Sequence, residues 1–169
     1  ENKYLVKSSN IKYERNSKII SSKEFSTLND DKENFYSTEG FKYTSLNKLF
    51  RGKKLTSITK EKDEYIIDNG IINLNTNELQ GKDVEVKFHK EMFNNPENEP
   101  RLKGNTVYTD KNITNVSKGV FTTCKKRDGK CPPWMIKSKK IKHDKLKKTM
   151  YYKNAWLKVY DVPVFYFPK

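Results

Sequence analysis

The residues with the clearest chemical potential are two cysteines, Cys124 and Cys131. The segment between them, KKRDGK, contains an Asp-Gly pair, which is typical of a tight turn. A hairpin at this turn would bring the two sulfur atoms within reach of a disulfide bond. We predict that bond, which indicates an oxidising compartment such as the periplasm.

Two other interpretations of the cysteines stay open. They can remain free thiols, or they can belong to a zinc site, which needs about four ligands. Only His89 and His143 could complete such a site, and neither has ligand spacing to the cysteines. We therefore predict no bound metal.

Catalytic patterns are absent from the sequence. There is no GxSxG motif, no phosphate-binding loop and no GxGxxG motif. The neighbouring carboxylates Asp30-Asp31 and Asp63-Glu64 lie in lysine-rich polar stretches, where we expect solvated surface residues. His89 is expected beside or just past a strand end and His143 in a turn, both at the surface. The prediction is a protein that is not an enzyme, with no catalytic residues and no cofactor.

The composition favours a thin core. Hydrophobic residues make up 34% of the 169 residues, against roughly 45–50% (a count that includes glycine) in globular domains. Aromatic residues nevertheless make up 12%, and apolar residues alternate with polar ones. Two facing sheets that each contribute one layer of side chains need few apolar residues, so we expect a single all-β domain over residues 1–169.

The net charge of +14 arises from 35 basic and 21 acidic residues. The basic residues are lysines except for Arg15, Arg51, Arg101 and Arg127. Lysine excess is what an AT-rich genome encodes at unconstrained surface positions, and lysine can also bind phosphates or anionic sugars as a point charge. Nucleic-acid recognition would favour arginine for its bidentate geometry, so no nucleic-acid partner is predicted.

A glycine-led repeat predicts short strands. Glycine precedes an alternating segment at several positions, and the clearest strand, residues 84–88, points Val84, Val86 and Phe88 to one face. The repeated glycine indicates a bulge or a tight corner between sheets. The sequence predicts a two-sheet sandwich or β-jelly roll with open edges.

The segment from Gly119 to Pro168 carries the most specific pattern. It contains Thr122-Thr123-Cys124, then Trp134, a strand with Ile141 and Asp144, Asn154-Ala155, and finally VPVFYFP at 162–168. The prolines in this last apolar run fit a chain leaving a sheet edge. The segment resembles the N-terminal periplasmic domain of the LptD (OstA/Imp) family of lipopolysaccharide-assembly proteins, strongly over about fifty residues and weakly over the earlier repeats.

The resemblance implies a V-shaped, LptA/OstA-like β-jelly roll at the periplasmic face of a Gram-negative outer membrane, with any export signal absent from this chain. Residues 161–169 would lead into an outer-membrane β-barrel. The domain would receive lipopolysaccharide from the periplasmic bridge protein LptA and pass its acyl chains through an apolar groove to the barrel, and LptE would sit inside that barrel. Family members differ in their cysteines, so Cys124 could also pair with a cysteine of the barrel.

Two sets of site residues follow from the resemblance. The groove would be lined by Ile72, Leu74, Val84, Val86, Phe88, Val107, Val120, Ile136, Leu157 and Val159. The N-terminal edge that pairs with LptA by strand addition would contain Tyr4, Val6, Ile11, Tyr13 and Ile19. The alternative function is a soluble LptA/LptC-like periplasmic bridge or scaffold that assembles through its edge strands.

Overall fold

The structure, a computed structural model, describes residues 4–90, 97–126 and 132–168. These residues form twelve β-strands. Their bounds are β1 Tyr4–Ser8, β2 Lys12–Glu14, β3 Ile19–Asp30, β4 Phe35–Thr44, β5 Leu49–Ile58, β6 Glu64–Asn73, β7 Glu78–Lys87, β8 Arg101–Thr109, β9 Ile113–Thr122, β10 Trp134–Asp144, β11 Thr149–Val159 and β12 Val162–Phe167.

The strands form one antiparallel sheet that follows chain order. The order is β1-β3-β4-β5-β6-β7-β8-β9-β10-β11-β12, and β2 pairs with β3 beside β1. The all-β prediction is therefore confirmed. The two layers are halves of one continuous, jelly-roll-like sheet, and β1 and β12 lie at its open ends.

Each strand from β4 to β11 changes its inward-facing register near its middle. In β5 the buried residues are Phe50 and then Leu55 and Ser57, so the alternation shifts by one between residues 52 and 55. Lys54, at this point, has φ 45°. The pairing register of β5 with β4 and β6 is constant through this point, so no residue is inserted, and the positive φ of Lys54 marks a kink in the strand. Kinks at the same level of neighbouring strands define a fold line across the sheet, and the two halves face each other across it.

Glycines at the fold line make room for branched side chains of neighbouring strands. A Cβ on Gly70 would lie 2.4 Å from Leu55 Cδ2, and one on Gly104 would lie 2.1 Å from Val116 Cγ1. Gly119 faces Ile141 in the same way. The repeated glycine thus marks the corner that the sequence predicts. A position without a side chain is needed where a branched side chain of the neighbouring strand packs against it.

Contacts across the open side of the V join the outer ends of the two halves, which we call the mouth. The Tyr65 hydroxyl lies 3.2 Å from Thr114 Oγ1, although the two residues are on β6 and β9. The Phe88 and His143 rings pack edge to face with centroids 5.3 Å apart. The hydroxyl of Tyr4 donates to Asn77 Oδ1 at 3.2 Å. The mouth is closed in this structure.

Two sequence expectations about polar residues are wrong. His143 lies in β10, not in a turn, and is only 2% exposed because it faces inward onto Phe88. Asp63 is 5% exposed, not solvated, and its Oδ1 accepts a hydrogen bond from the His89 N–H at 2.9 Å. Both residues lie at the mouth, where strand ends that are distant in sequence come together.

Candidate functional site: the inner face and the two edges

The inner face carries one apolar row that crosses eleven strands in direct register. Its middle members are buried, while Val6 is 36% exposed at one end and Phe165 is 56% exposed at the other. In spatial order the row is Val6, Leu28, Tyr36, Ser57, Tyr65, Val86, Leu102, Phe121, Ile136, Leu157 and Phe165. Apart from Ser57, the row is an apolar track that runs perpendicular to the strands.

Six predicted groove residues are buried core residues, each no more than 5% exposed. They are Ile72, Leu74, Val84, Val86, Phe88 and Val107. Ile136 and Leu157 belong to the inner row and are half-buried. Val159 has the same parity as Leu157 but is 37% exposed. The packing therefore loosens from the centre of the sheet toward β10–β12.

Val120 differs from the other groove candidates. It pairs with Lys103 and Lys137, whose side chains point outward, while its neighbour Phe121 points into the core. Its side chain therefore lies on the outer face, and this structure does not place it in the groove. The cause is the fold line, where Lys118 has φ 47° and the alternation shifts.

A small polar cluster interrupts the inner face near the mouth. Thr109 Oγ1 and Thr114 Oγ1 are 2.7 Å apart, and the Tyr65 hydroxyl joins them. Burial raises the pKa of Tyr65 to about 12, so the phenol stays protonated. His143 Nδ1 has no hydrogen-bond partner among the described residues, and burial lowers the pKa of its imidazole.

Opposite charges meet at the rim of the mouth. Burial raises the pKa of Asp63, and burial also lowers the pKa of Lys145. The Lys145 Nζ donates a hydrogen bond to the Asp110 carbonyl at 2.7 Å and lies 6.0 Å from the Tyr65 ring centroid. Desolvation is the main cause of both pKa shifts. The rim of the mouth is therefore a partly dehydrated polar region above the apolar layer.

The N-terminal edge is built from two short strands that share β3. β1 pairs with Ser26–Asp30 and β2 pairs with Ile19–Ser21, which leaves their outer sides without a neighbouring strand in the described sheet. Of the predicted edge residues, Tyr4, Val6 and Tyr13 lie on these strands, and Ile11 directly precedes β2. Ile19 instead lies in β3, paired with Glu14 on one side and Thr44 on the other, so it is not an edge residue.

The C-terminal edge consists of β12 and the first half of β11. β12 pairs only with residues 155–159 of β11, across a bulge at Leu157/Lys158. Within the described residues, Thr149–Asn154 has no strand on its outer side. Every β12 residue is exposed, and Pro163 sits at this edge as its missing N–H requires.

The loop with the two cysteines is described only in part. Cys124 follows β9, and its N–H donates to Thr122 Oγ1 at 3.2 Å. Cys131 lies outside the described residues. The Cys124–Cys131 disulfide therefore stays a prediction.

No group of three or more His, Cys, Asp or Glu side chains in the described ranges could hold a metal ion. Within residues 4–90, 97–126 and 132–168, no helix is long and apolar enough to cross a bilayer.

Comparisons with known proteins leave the family open. No family model matches the chain, and no curated protein matches it either. The functional conclusion thus depends on the inner face and the edges themselves.

Proposed function

We propose that this domain carries lipopolysaccharide at the periplasmic face of the outer membrane, receiving it from an LptA bridge and passing its acyl chains to an LptD barrel. The observation that carries the proposal is the inner row, which runs across eleven strands and is open at both ends. At ~4.8 Å per strand, its ten intervals span about 48 Å.

An apolar row of this kind is suited to moving a lipid rather than holding it. Apolar contact is non-directional, so successive positions of an acyl chain along the row have similar free energies. The half-buried Ile136 and Leu157 are less tightly packed than the centre of the inner row, and they lie next to the C-terminal edge. We expect acyl chains to enter between the two halves when the mouth opens.

The two edges support a place in a chain of partners. Strand addition to β1 and β2 would continue the sheet and cover Val6. Addition beyond β11 and β12 would cover Phe165. The first edge is the one proposed to meet LptA, and residues 161–169 are the proposed junction to a barrel that would hold LptE.

Photo-crosslinking in cells tests the lipid path. A photoreactive amino acid at Leu157, or at Phe88 in the mouth, should capture lipopolysaccharide. The matched controls are their outward-facing neighbours Trp156 and Lys87. Equal labelling from inner and outer positions would remove the support for an interior path.

The second candidate function is a soluble bridge that assembles through its edges. It is favoured by the presence of an unpaired edge at each end of the same sheet. Light scattering of the isolated domain separates the two functions. Open-ended growth that increases with concentration would favour the bridge, whereas a monomer that binds LptA through β1 and β2 would favour the transport domain.

A further inference from the structure

One row of outward-facing side chains beside the fold line crosses seven strands, β5 to β11, and is strongly basic. Direct cross-strand pairs connect all of its members. Its cations are Lys53, Lys82, Lys140 and Lys153, and its other members are Asn69, Thr106 and Ser117. The row contains no carboxylate. It spans about 29 Å at ~4.8 Å per strand.

The next outward row on the same half adds three more cations. Lys42 pairs with Arg51, and Lys142 lies at the other end, opposite Tyr151. Between them the row contains Ile71, Gln80, Tyr108 and Asn115, again without a carboxylate.

These rows border a groove rather than a flat surface. Its volume is about 1430 Å³, and it follows the fold line. Gly52, Gly70 and Gly81 line it, and of these Gly70 is buried while Gly52 and Gly81 are half-buried. The acidic residue in its lining is Glu39, and that carboxylate is 3.0 Å from Lys54 Nζ. The groove is therefore a depression of strongly positive charge.

The other half of the sheet provides an internal comparison. On its outer face, Lys87 pairs with Glu64 at 2.8 Å and Lys103 with Glu85 at 2.9 Å. No such pair is formed, among the described residues, by the four lysines of the first row. A lysine excess that reflected only genome composition would leave both outer faces equally compensated.

We propose that this groove binds an extended, phosphorylated saccharide. Lysines bind phosphate as point charges, and they recur along the row with amide and hydroxyl groups that suit sugar hydroxyls. Asn69 separates Lys53 from Lys82, and Thr106 and Ser117 separate Lys82 from Lys140.

Single-stranded nucleic acid fits the groove less well. Proteins that bind it use aromatic side chains as stacking platforms. Tyr108 and Tyr151 are the aromatic residues in the two rows, and they lie on different strands, β8 and β11, so they do not form a continuous stack. The Tyr151 ring already has Lys142 Nζ 5.9 Å from its centroid.

The groove lies on the opposite face of the sheet from the apolar inner row. Binding there does not depend on acyl chains entering the roll, so the two proposals can fail separately. A probe without acyl chains isolates the groove.

The experiment measures binding of fully deacylated lipopolysaccharide, a water-soluble phosphorylated oligosaccharide, to the whole domain by calorimetry. The test variant replaces Lys53, Lys82, Lys140 and Lys153 with Gln. The control variant replaces the same number of exposed lysines in turns, namely Lys32, Lys48, Lys111 and Lys147. All eight side chains are exposed, so both variants should fold.

We expect the test variant to lose roughly tenfold or more in affinity, because several charge-assisted contacts disappear together. The control variant should stay within roughly twofold of the original, and enzymatic or acid removal of the phosphates should abolish binding. Equal losses in both variants would overturn the proposal in favour of diffuse charge. So would the absence of binding, or tighter binding of a thymidine oligonucleotide than of the saccharide.

Discussion

At the scale of single residues, the fold line is stabilised by pairs in which a glycine on one strand packs against a branched side chain on another. The three atoms closest to a Cβ on Gly70 all belong to Leu55, at 2.4, 3.2 and 3.4 Å. Leu55 itself is fully buried. The glycine and the leucine therefore form one packing unit, although they lie on different strands.

This unit predicts a non-additive pair of substitutions. Gly70→Ala should lower the free energy of unfolding by about 1–3 kcal/mol, because the new methyl group overpacks against Leu55. In a Leu55→Ala background the same change should cost less, since Cγ and Cδ2 are removed and only the Cβ at 3.2 Å remains. Urea unfolding of the four proteins gives the coupling energy. The outward-facing Gln80→Ala is the control for strand propensity, and additive effects of Gly70→Ala and Leu55→Ala would contradict the packing argument.

His143 predicts a second residue-scale effect, which is pH-dependent. Burial lowers the pKa of His143 in the folded state, Lys145 lowers it further and Asp144 opposes the shift. The unfolded chain then takes up a proton first as pH falls through the ordinary value of 6.5, so stability decreases below that pH. The nearby Asp63 acts in the opposite sense, because its pKa is raised and its folded form gains protons on acidification.

The measurement is urea unfolding at pH 7.5 and 5.5 for the original chain and for His143→Phe. The phenyl ring keeps the packing against Phe88 and removes the Nδ1 atom that has no partner in the described chain. We expect the variant to lose less stability on acidification than the original. Parallel losses in the two proteins would show that His143 does not titrate on unfolding in this range.

At the scale of strands, the sequence predicts the all-β class and the alternation of apolar and polar residues well. It predicts less well which face of the sheet a given residue lies on. The alternation of Val84, Val86 and Phe88 and the edge position of the proline-containing β12 are confirmed. Val116 and Val120 are four residues apart and would share a face in a regular strand, yet they lie on opposite faces. The kink at Lys118, where φ is 47°, turns the later residues of β9 to the other face, and nothing local in the sequence marks that position. The sequence also fails to predict the burial of His143 and Asp63, because burial at the mouth depends on which strand ends come together in the fold.

β12 leads to a prediction of its own. All six of its residues are exposed, and it pairs with only part of β11. Removing residues 162–169 should therefore lower the melting temperature but leave unfolding cooperative, because the buried core residues of the described chain all lie outside β12. Circular dichroism of the shortened chain measures this. A loss of cooperative folding would show that β12 belongs to the structural core rather than to a junction.

At the scale of the whole molecule, the closed mouth and the proposed lipid path require a conformational change. Six predicted groove residues are almost completely buried, so an acyl chain can reach them only if the two halves separate. The mouth is the place to open, since it is held by side-chain contacts such as Phe88 with His143 and Tyr65 with Thr114, whereas the fold line is held by continuous strands. A cross-link at the mouth should then block lipid entry.

The cross-link is made with a short bifunctional thiol reagent on Phe88→Cys/His143→Cys, in a background where Cys124 and Cys131 are Ser. Melting curves establish that the double variant is folded before and after reaction. Lipopolysaccharide capture by a photoreactive residue at Leu157 should fall sharply on cross-linking and persist in the unreacted double variant. The outer-face pair Lys103→Cys/Glu85→Cys, whose parent side chains are 2.9 Å apart, receives the same treatment and should retain capture because it bridges adjacent strands of one half. If the domain with its mouth cross-linked captures lipid as efficiently as the unreacted protein, acyl chains do not enter between the halves, and the interior is a structural core.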